Sequence, residues 1–184
     1  MKIRNITKII LLLVIILSSG CTSEKSNVAD IVLNSAQGET KLSSYKNKLI
    51  LLSFGYTHCP DICPATLSHV SHAMDLLSKS EKERVQPIFV TLDPERDTLD
   101  KLEEYFGFFG GNILGVSVDS GQSESFLKAF SIESFKDGDE EDYTINHSTY
   151  LFLLDDQAKV LDMMGHKTSG EFIVESIRNK FKEK

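Results

Sequence analysis

The stretch from residue 49 to residue 64 reads Leu-Ile-Leu-Leu-Ser-Phe-Gly-Tyr-Thr-His-Cys-Pro-Asp-Ile-Cys-Pro. Its first six residues are too few to span a membrane and too apolar for a half-exposed strand, so we predict a fully buried parallel strand. After Pro64, apolar residues recur with the 3.6-residue period of a helix at Leu67, Val70, Met74 and Leu77. Cys59 and Cys63 are therefore predicted to lie on a strand-to-helix turn.

The prolines of this loop place the cysteines at the edge of the helix. Proline disfavours helical geometry in the preceding residue and suits the first helical turn, so Pro60 and Pro64 keep Cys59 and Cys63 at the helix N-terminus. Asp61 is a candidate cap for this helix. Thiols at that end are favoured as thiolates, the form that binds metal or attacks a disulfide. We predict a metal site or a redox pair, because a structural disulfide closing so small a loop would add little stability.

The apolar runs after this loop have the patterns of strands and helices in turn. Strands are predicted at residues 85–92 and 113–118, and helices at residues 99–106 and 123–130. This order of strand, helix, strand, helix, strand and helix predicts a parallel sheet covered by helices.

Hairpins are predicted at both ends of this unit. Residues 31–41, with Gly38 at their centre, predict a small N-terminal hairpin, and residues 150–164 predict a terminal one. Thr168 and Glu171 form the pattern of a capping box for a last helix. A thiol loop after the first core strand, with a terminal hairpin and helix, predicts an α/β fold of the thioredoxin-like class, in which helices flank a central mixed sheet with an N-terminal hairpin.

The N-terminus has the features of an export signal. Basic residues precede nine apolar residues at 9–17, and Leu-Ser-Ser-Gly-Cys follows at 17–21. This ending resembles the lipobox of bacterial lipoproteins, which implies lipidation of Cys21 on the periplasmic side of a bacterial membrane. The chain would then comprise a signal peptide at 1–20, a tether at 21–29 and a folded domain at 30–184. The alternative, an uncleaved N-terminal anchor, also tethers the domain outside the cytoplasm.

The charge of the mature chain bears on its partners. Removing residues 1–20 leaves 17 basic and 27 acidic residues, a net charge of −10. The sequence has no basic stripe with interleaved aromatic residues, which argues against nucleic acid as a partner. The acidic run at residues 137–142 lacks the twelve-residue spacing of an EF-hand, so we predict a solvated acidic loop rather than a calcium site.

Three motifs, in order along the chain, resemble those of the Sco/SenC family. They are Tyr-Thr-His-Cys-Pro-Asp-Ile-Cys-Pro at 56–64, Thr-Leu-Asp-Pro-Glu-Arg-Asp-Thr at 91–98 and Tyr-Thr-Ile-Asn-His-Ser-Thr at 143–149. This family consists of thioredoxin-like, membrane-tethered copper proteins that are associated with assembly of the copper A centre of cytochrome c oxidase. The resemblance covers almost the whole mature chain.

The resemblance implies a ligand set, and with it a set of partners. Copper would be bound by Cys59, Cys63 and His147, with Asp93 close to the metal site. The implied partners are a cytochrome c oxidase subunit that carries the copper A site and an upstream copper donor or thiol reductant. The chain departs from the family at Asn146, where aspartate is usual, and this substitution removes a carboxylate beside the implied ligand.

The chemistry of these residues agrees with a copper metallochaperone. Two thiolates and one imidazole suit Cu(I) and tolerate Cu(II). A disulfide between the two cysteines would abolish metal binding, so metal loading and thiol redox state are coupled. The alternative is a thiol-disulfide oxidoreductase with copper incidental, although such enzymes usually have two residues between their cysteines. A peroxiredoxin is disfavoured because its motif places threonine three residues before the cysteine, where Tyr56 and Pro60 stand here.

Overall fold

The computed structural model of the chain describes residues 27–110, 112–139 and 142–183. The predicted signal peptide, Cys21 and most of the tether lie outside these residues. Within the described ranges, every helix is too short or too polar to cross a bilayer.

The strands form a large mixed sheet and a small separate one. The described residues contain β1 (Leu33–Ser35), β2 (Gly38–Thr40), β3 (Leu49–Gly55), β4 (Val85–Thr91), β5 (Leu114–Val118), β6 (Ser134–Gly138), β7 (Tyr143–His147), β8 (Tyr150–Leu154) and β9 (Val160–Gly165). The large sheet has the order β2-β1-β5-β4-β3-β8-β9. Strand β3, next to the central strand β4, is parallel to β4 and antiparallel to β8. Strands β6 and β7 pair in an antiparallel sheet of their own.

Helices cover both faces of the large sheet. They are α1 (Ile62–Leu76), α2 (Lys79–Lys82), α3 (Leu99–Gly107), α4 (Ser120–Ala129) and α5 (Gly170–Lys182), with 3-10 turns at Val28–Asp30 and Leu42–Ser44. Buried side chains of α1, α3 and α5 form the core on one face, and those of α4 and the 3-10 turns form the core on the other. This arrangement confirms the predicted thioredoxin-like fold.

Strand β3 places the cysteine loop. Each of its seven residues is buried, because Leu49 and Leu51 pack into one core while Ile50 and Leu52 pack into the other. The apolar run therefore fills both faces of the sheet, as predicted. The strand ends at Gly55, and the loop that follows emerges at the carboxyl edge of β3 and β4, where α/β proteins bind ligands.

Two details differ from the sequence prediction. The last helix begins at Gly170 with Ser169 as its N-cap, and Ser169 makes no side-chain capping hydrogen bond, so the predicted capping box of Thr168 and Glu171 is wrong. Of the acidic run, Asp137 and Gly138 end β6 and Asp142 directly precedes β7, in a hairpin whose strands were not predicted from the sequence. Every residue of β6 is exposed, so this strand carries no apolar alternation to reveal it.

Candidate metal centre

The cysteine loop joins the end of β3 to the first turn of α1. Cys59 is half-buried and Cys63 is buried in the first turn of the helix, and both are free thiols. The backbone N–H of Cys59 donates to the carbonyl oxygen of Tyr56 at 3.3 Å. Asp61 occupies the N-cap position, but its side chain makes no capping hydrogen bond. Capping by Asp61 therefore does not fix the start of this helix.

The two thiols have opposite pKa shifts. The hydrogen bond with Cys63 lowers the pKa of Cys59 to about 5, and backbone N–H groups at the helix start contribute to this shift against the effect of burial. The same hydrogen bond, together with burial, raises the pKa of Cys63. At neutral pH, Cys59 is therefore a thiolate that accepts a hydrogen bond from the Cys63 thiol. This agrees with the thiolate predicted at a helix N-terminus.

Gly55 provides the space in which Cys63 packs. A Cβ at this position would lie 2.6 Å from Cys63 Sγ and 2.9 Å from Phe89 Cζ. The sulfur therefore lies directly against the backbone of β3, where only glycine leaves room for it. A glycine inside a strand pattern is a signal of such close approach, which the sequence analysis did not use.

We expect Gly55→Ala to displace the Cys63 sulfur. Overpacking of this kind lowers the free energy of unfolding by about 1–3 kcal/mol, which urea denaturation measures. Because the displaced thiol no longer donates to Cys59, the pKa of Cys59 should rise from about 5 towards that of a free cysteine. The pH dependence of iodoacetamide alkylation reports this rise. Gly107→Ala is the control, since nothing lies within 4 Å of its Cβ position. An unchanged stability and alkylation profile would contradict the packing described.

His147 is the last residue of β7, and its ring approaches the buried thiol. Its Nε2 lies 3.9 Å from Cys63 Sγ. Its Nδ1 lies 2.8 Å from the carbonyl oxygen of Ser148. Because a carbonyl oxygen only accepts, Nδ1 carries the proton and Nε2 presents a lone pair towards Cys63. The fold thus brings His147 to Cys63, and the full ligand set of Cys59, Cys63 and His147 stays a prediction of the family resemblance.

Aromatic and aliphatic contacts hold β7 against the cysteine loop. Tyr56, Tyr143 and Ile145 form a buried cluster against which Cys59 packs. The rings of Tyr56 and His147 meet edge to face with 6.3 Å between their centroids. Burial raises the pKa of Tyr56, whose hydroxyl interacts with the backbone N–H of Ile145 and with Cys59. Tyr56 therefore contacts both halves of the site.

Asp93 links the turn after β4 to strand β7. Its side chain is buried, and its carboxylate accepts hydrogen bonds from the Tyr143 hydroxyl at 2.7 Å and from Arg96 Nε at 2.5 Å. The Arg96 guanidinium also lies over the Tyr143 ring, 3.6 Å from its centroid. Both oxygens of Asp93 are therefore bound by donors of the protein, and the residue joins two elements of the site.

Asp97, four residues later, contacts the cysteine loop itself. Its carboxylate accepts hydrogen bonds from the N–H and hydroxyl of Thr57, at 3.0 and 2.5 Å, and from the hydroxyl of Thr91 at 2.6 Å. The ligand atoms of His58, Asp93 and Asp97 lie within 4.8 Å of one another. Because protein donors already bind both carboxylates, we assign this cluster to the framework. In the sequence, Asp97 is distinguished only by its place in the motif at 91–98.

Comparison with known proteins assigns the family. The model for SCO1/SenC matches residues 24–182 of the chain. The chain belongs to the SCO1/SenC family. This confirms the resemblance to Sco/SenC proteins that the three sequence motifs indicated.

Curated relatives of this SCO1/SenC chain come from mitochondria and bacteria. Protein SCO2, mitochondrial, of Saccharomyces cerevisiae is 32% identical over 136 residues, which are 72% of this chain and 45% of the relative. A SCO2-like protein of Rickettsia conorii is 33% identical over 137 residues, 73% of this chain and 66% of the relative. The chain thus spans about half to two thirds of the length of these relatives.

Solved structures of related proteins share the fold. Yeast Sco1 with copper bound has a TM-score of 0.74 and 27% identity, and the match covers 84% of this SCO1/SenC chain and 87% of that one. Arabidopsis thaliana ScoI with copper bound has a TM-score of 0.73 and 26% identity, with coverages of 84% and 97%. These matches confirm the architecture that the sequence predicted.

Proposed function

We propose that this SCO1/SenC chain is a copper metallochaperone. It binds Cu(I) or Cu(II) through Cys59, Cys63 and His147 and delivers the ion to the copper A site of a cytochrome c oxidase subunit. The observation that carries this proposal is the 3.9 Å approach of His147 Nε2 to Cys63 Sγ, next to the Cys59 thiolate. The copper-bound structures of yeast Sco1 and Arabidopsis ScoI support the choice of metal.

The three donors suit copper in both oxidation states. Cu(I) is soft and favours thiolates, while imidazole binds either state. Cys59 is already a thiolate, and Cys63 loses its proton when the metal binds. The hydrogen bond from His147 Nδ1 to the Ser148 carbonyl fixes the tautomer that leaves Nε2 free for the metal.

The unequal burial of the donors indicates where the ion leaves. Cys63 is buried against β3, whereas Cys59 is half-buried at the surface of the loop. A ligand of the receiving protein therefore approaches on the Cys59 side, and copper passes by exchange of ligands. A bound ion also excludes a disulfide between the two cysteines, so a thiol reductant must act before loading.

We propose that this transfer of copper takes place outside the cytoplasm. A lipid on Cys21 tethers the domain on the periplasmic side of a bacterial membrane, and an upstream donor supplies the copper there. The support for this part is the charged and apolar N-terminus with its Leu-Ser-Ser-Gly-Cys ending.

His147→Ala tests the ligand set. In the full chain carrying Cys21→Ser, so that the third cysteine does not bind metal, we expect Cu(II) affinity to fall by at least about 10–100-fold. The thiolate-to-Cu(II) charge-transfer band should shift, and Cu(I) affinity should fall much less because both thiolates remain. His72→Ala is the control, since this imidazole lies on α1 and pairs with Glu171 at 3.1 Å. Unchanged Cu(II) affinity and absorption in His147→Ala would contradict the proposal.

The second candidate function is thiol-disulfide exchange, which the lowered pKa of Cys59 favours. The Cys59 thiolate would attack a partner disulfide, releasing one partner thiolate and forming a mixed disulfide. Cys63, after losing its proton, would then attack Cys59 Sγ, so that the pair is oxidised and the partner receives two electrons. His147 takes no part in these steps. Partner reduction that survives in His147→Ala, in a chain that binds no copper tightly, would identify this function.

A further inference from the structure

We propose that Tyr143 is a positioning residue for His147. Its hydroxyl bond to buried Asp93 fixes the β6–β7 hairpin so that His147 Nε2 reaches the thiols. This inference rests on the proposed ligand set, and it assigns the aromatic residue at the start of β7 a role in selecting the oxidation state of the bound copper.

The hairpin that carries His147 lies outside the main sheet. In the part of the chain that the structure describes, β6 and β7 form their own two-stranded sheet, whereas β3 is bonded to both β4 and β8. The cysteines therefore follow an interior strand that is bonded on both sides. The position of His147 over them depends instead on side-chain contacts made by the hairpin, because a two-stranded sheet is marginally stable by itself.

Tyr143 makes the most extensive of these side-chain contacts. Its hydroxyl donates to Asp93 Oδ1 at 2.7 Å, and both residues are buried. Cations lie over its ring, with Arg96 Cζ 3.6 Å and Lys136 Nζ 4.3 Å from the centroid. Lys136 also pairs with Glu95 at 2.6 Å. Residues of the turn after β4 thus bind the β6–β7 hairpin at Tyr143 and at the neighbouring Lys136.

The geometry of β7 transmits this anchor to His147. Tyr143, Ile145 and His147 are alternate residues of one five-residue strand, so their side chains share a face. Four residue steps along the strand, about 13 Å, separate Tyr143 from His147. A change in the angle of the hairpin at Tyr143 therefore displaces His147 Nε2 from the thiols.

The effect on copper should depend on its oxidation state. The thiolates belong to the loop after β3 and to the first turn of α1, not to the hairpin, so a movement of the hairpin should displace them less than it displaces His147. Two thiolates satisfy Cu(I), while Cu(II) depends more strongly on the imidazole. We expect Tyr143→Phe to lower Cu(II) affinity by about 10-fold or more and to shift the charge-transfer band, with Cu(I) affinity changed by less than about twofold.

A double-mutant cycle separates this role from a general structural one. Cu(II) affinity and absorption are measured for the full chain with Cys21→Ser, alone and with Tyr143→Phe, His147→Ala or both. Because Tyr143 acts through His147, its substitution should have no further effect when His147 is alanine. Tyr45→Phe is the control, since it removes a tyrosine hydroxyl that accepts from Thr40 in the N-terminal part of the domain.

Loss of the hydroxyl leaves a buried carboxylate oxygen without its donor, which destabilises the fold. If Tyr143→Phe does not fold, Asp93→Asn combined with Tyr143→Phe removes the buried charge as well and should show the same selective loss of Cu(II). Equal losses of Cu(I) and Cu(II), an effect that persists without His147, or no effect would each overturn the inference. If His147→Ala does not change Cu(II) affinity, both the proposed ligand set and this inference are wrong. If His147→Ala lowers Cu(II) affinity and Tyr143→Phe does not, the ligand set stands and only the role of Tyr143 is wrong.

Discussion

Replacing Cys59 and Cys63 together by serine is expected to abolish tight copper binding. A serine hydroxyl stays protonated at neutral pH and is a hard donor, so the remaining imidazole of His147 would face soft Cu(I) alone. We expect Cu(I) affinity to fall by at least about a thousandfold. Competition with a chromophoric Cu(I) chelator under reducing conditions measures this fall.

Because the two cysteines have different environments, we expect their single serine variants to differ in stability. Cys59→Ser removes the thiolate at the surface, whereas Cys63→Ser also empties the space against Gly55 and removes the hydrogen bond that lowers the pKa of Cys59. Thermal unfolding should therefore shift more in Cys63→Ser. The chain with Cys21→Ser alone should keep one tight equivalent of copper. One tight equivalent in the double variant of Cys59 and Cys63 would refute the metallochaperone proposal.

Asp97→Ala is expected to have the largest effect on stability. The side chain is buried, and its removal takes the acceptor from two hydroxyls and one backbone N–H. We expect the free energy of unfolding to fall by about 3 kcal/mol or more, which lowers the unfolding temperature by roughly 6–12 °C in a domain of this size. The cysteine loop loses its attachment at Thr57, so copper affinity should also fall.

Differential scanning calorimetry and Cu(I) competition measure the two effects of Asp97→Ala. Asp100→Ala is the matched control, because Asp100 is an exposed acidic residue in the first turn of α3. Asp97→Asn keeps one acceptor oxygen and should lie between the wild type and Asp97→Ala. A thermal midpoint for Asp97→Ala equal to that of Asp100→Ala would show that the buried carboxylate does not support the loop.

The parts of the fold that the sequence predicts are those with long or periodic apolar patterns. Strand β3 and helix α1 follow from the apolar run at 49–54 and the 3.6-residue period after it, and both elements fill the core. The β6–β7 hairpin was not predicted because its strands are short and β6 is exposed throughout. The last helix was predicted with its start displaced by one residue, since Thr168 and Ser169 are both acceptable caps.

Only part of the candidate site could likewise be predicted from the sequence. The chemistry of Cys59 and Cys63 can be read from their spacing and the flanking prolines, because loop and helix start are contiguous in sequence. No local pattern brings His147 to Cys63 across 84 positions, and only the family motif at 143–149 indicated it. Tyr143 and Asp97 act through hydrogen bonds to residues 50 and 40 positions away, which no periodicity encodes.

The separate pairing of β6 and β7 has a kinetic consequence. Amide hydrogens in the small two-stranded sheet are expected to exchange with solvent through local opening, and those of β3, which is paired on both sides, only when the whole domain unfolds. The imidazole therefore lies on a hairpin that pairs only with itself, and the cysteines follow a strand that is paired on both sides. Copper would lose one ligand and remain attached to two sulfurs during each opening. In the proposed complex, each opening would therefore free a coordination position for a ligand of the receiving protein while the ion stays on the two sulfurs.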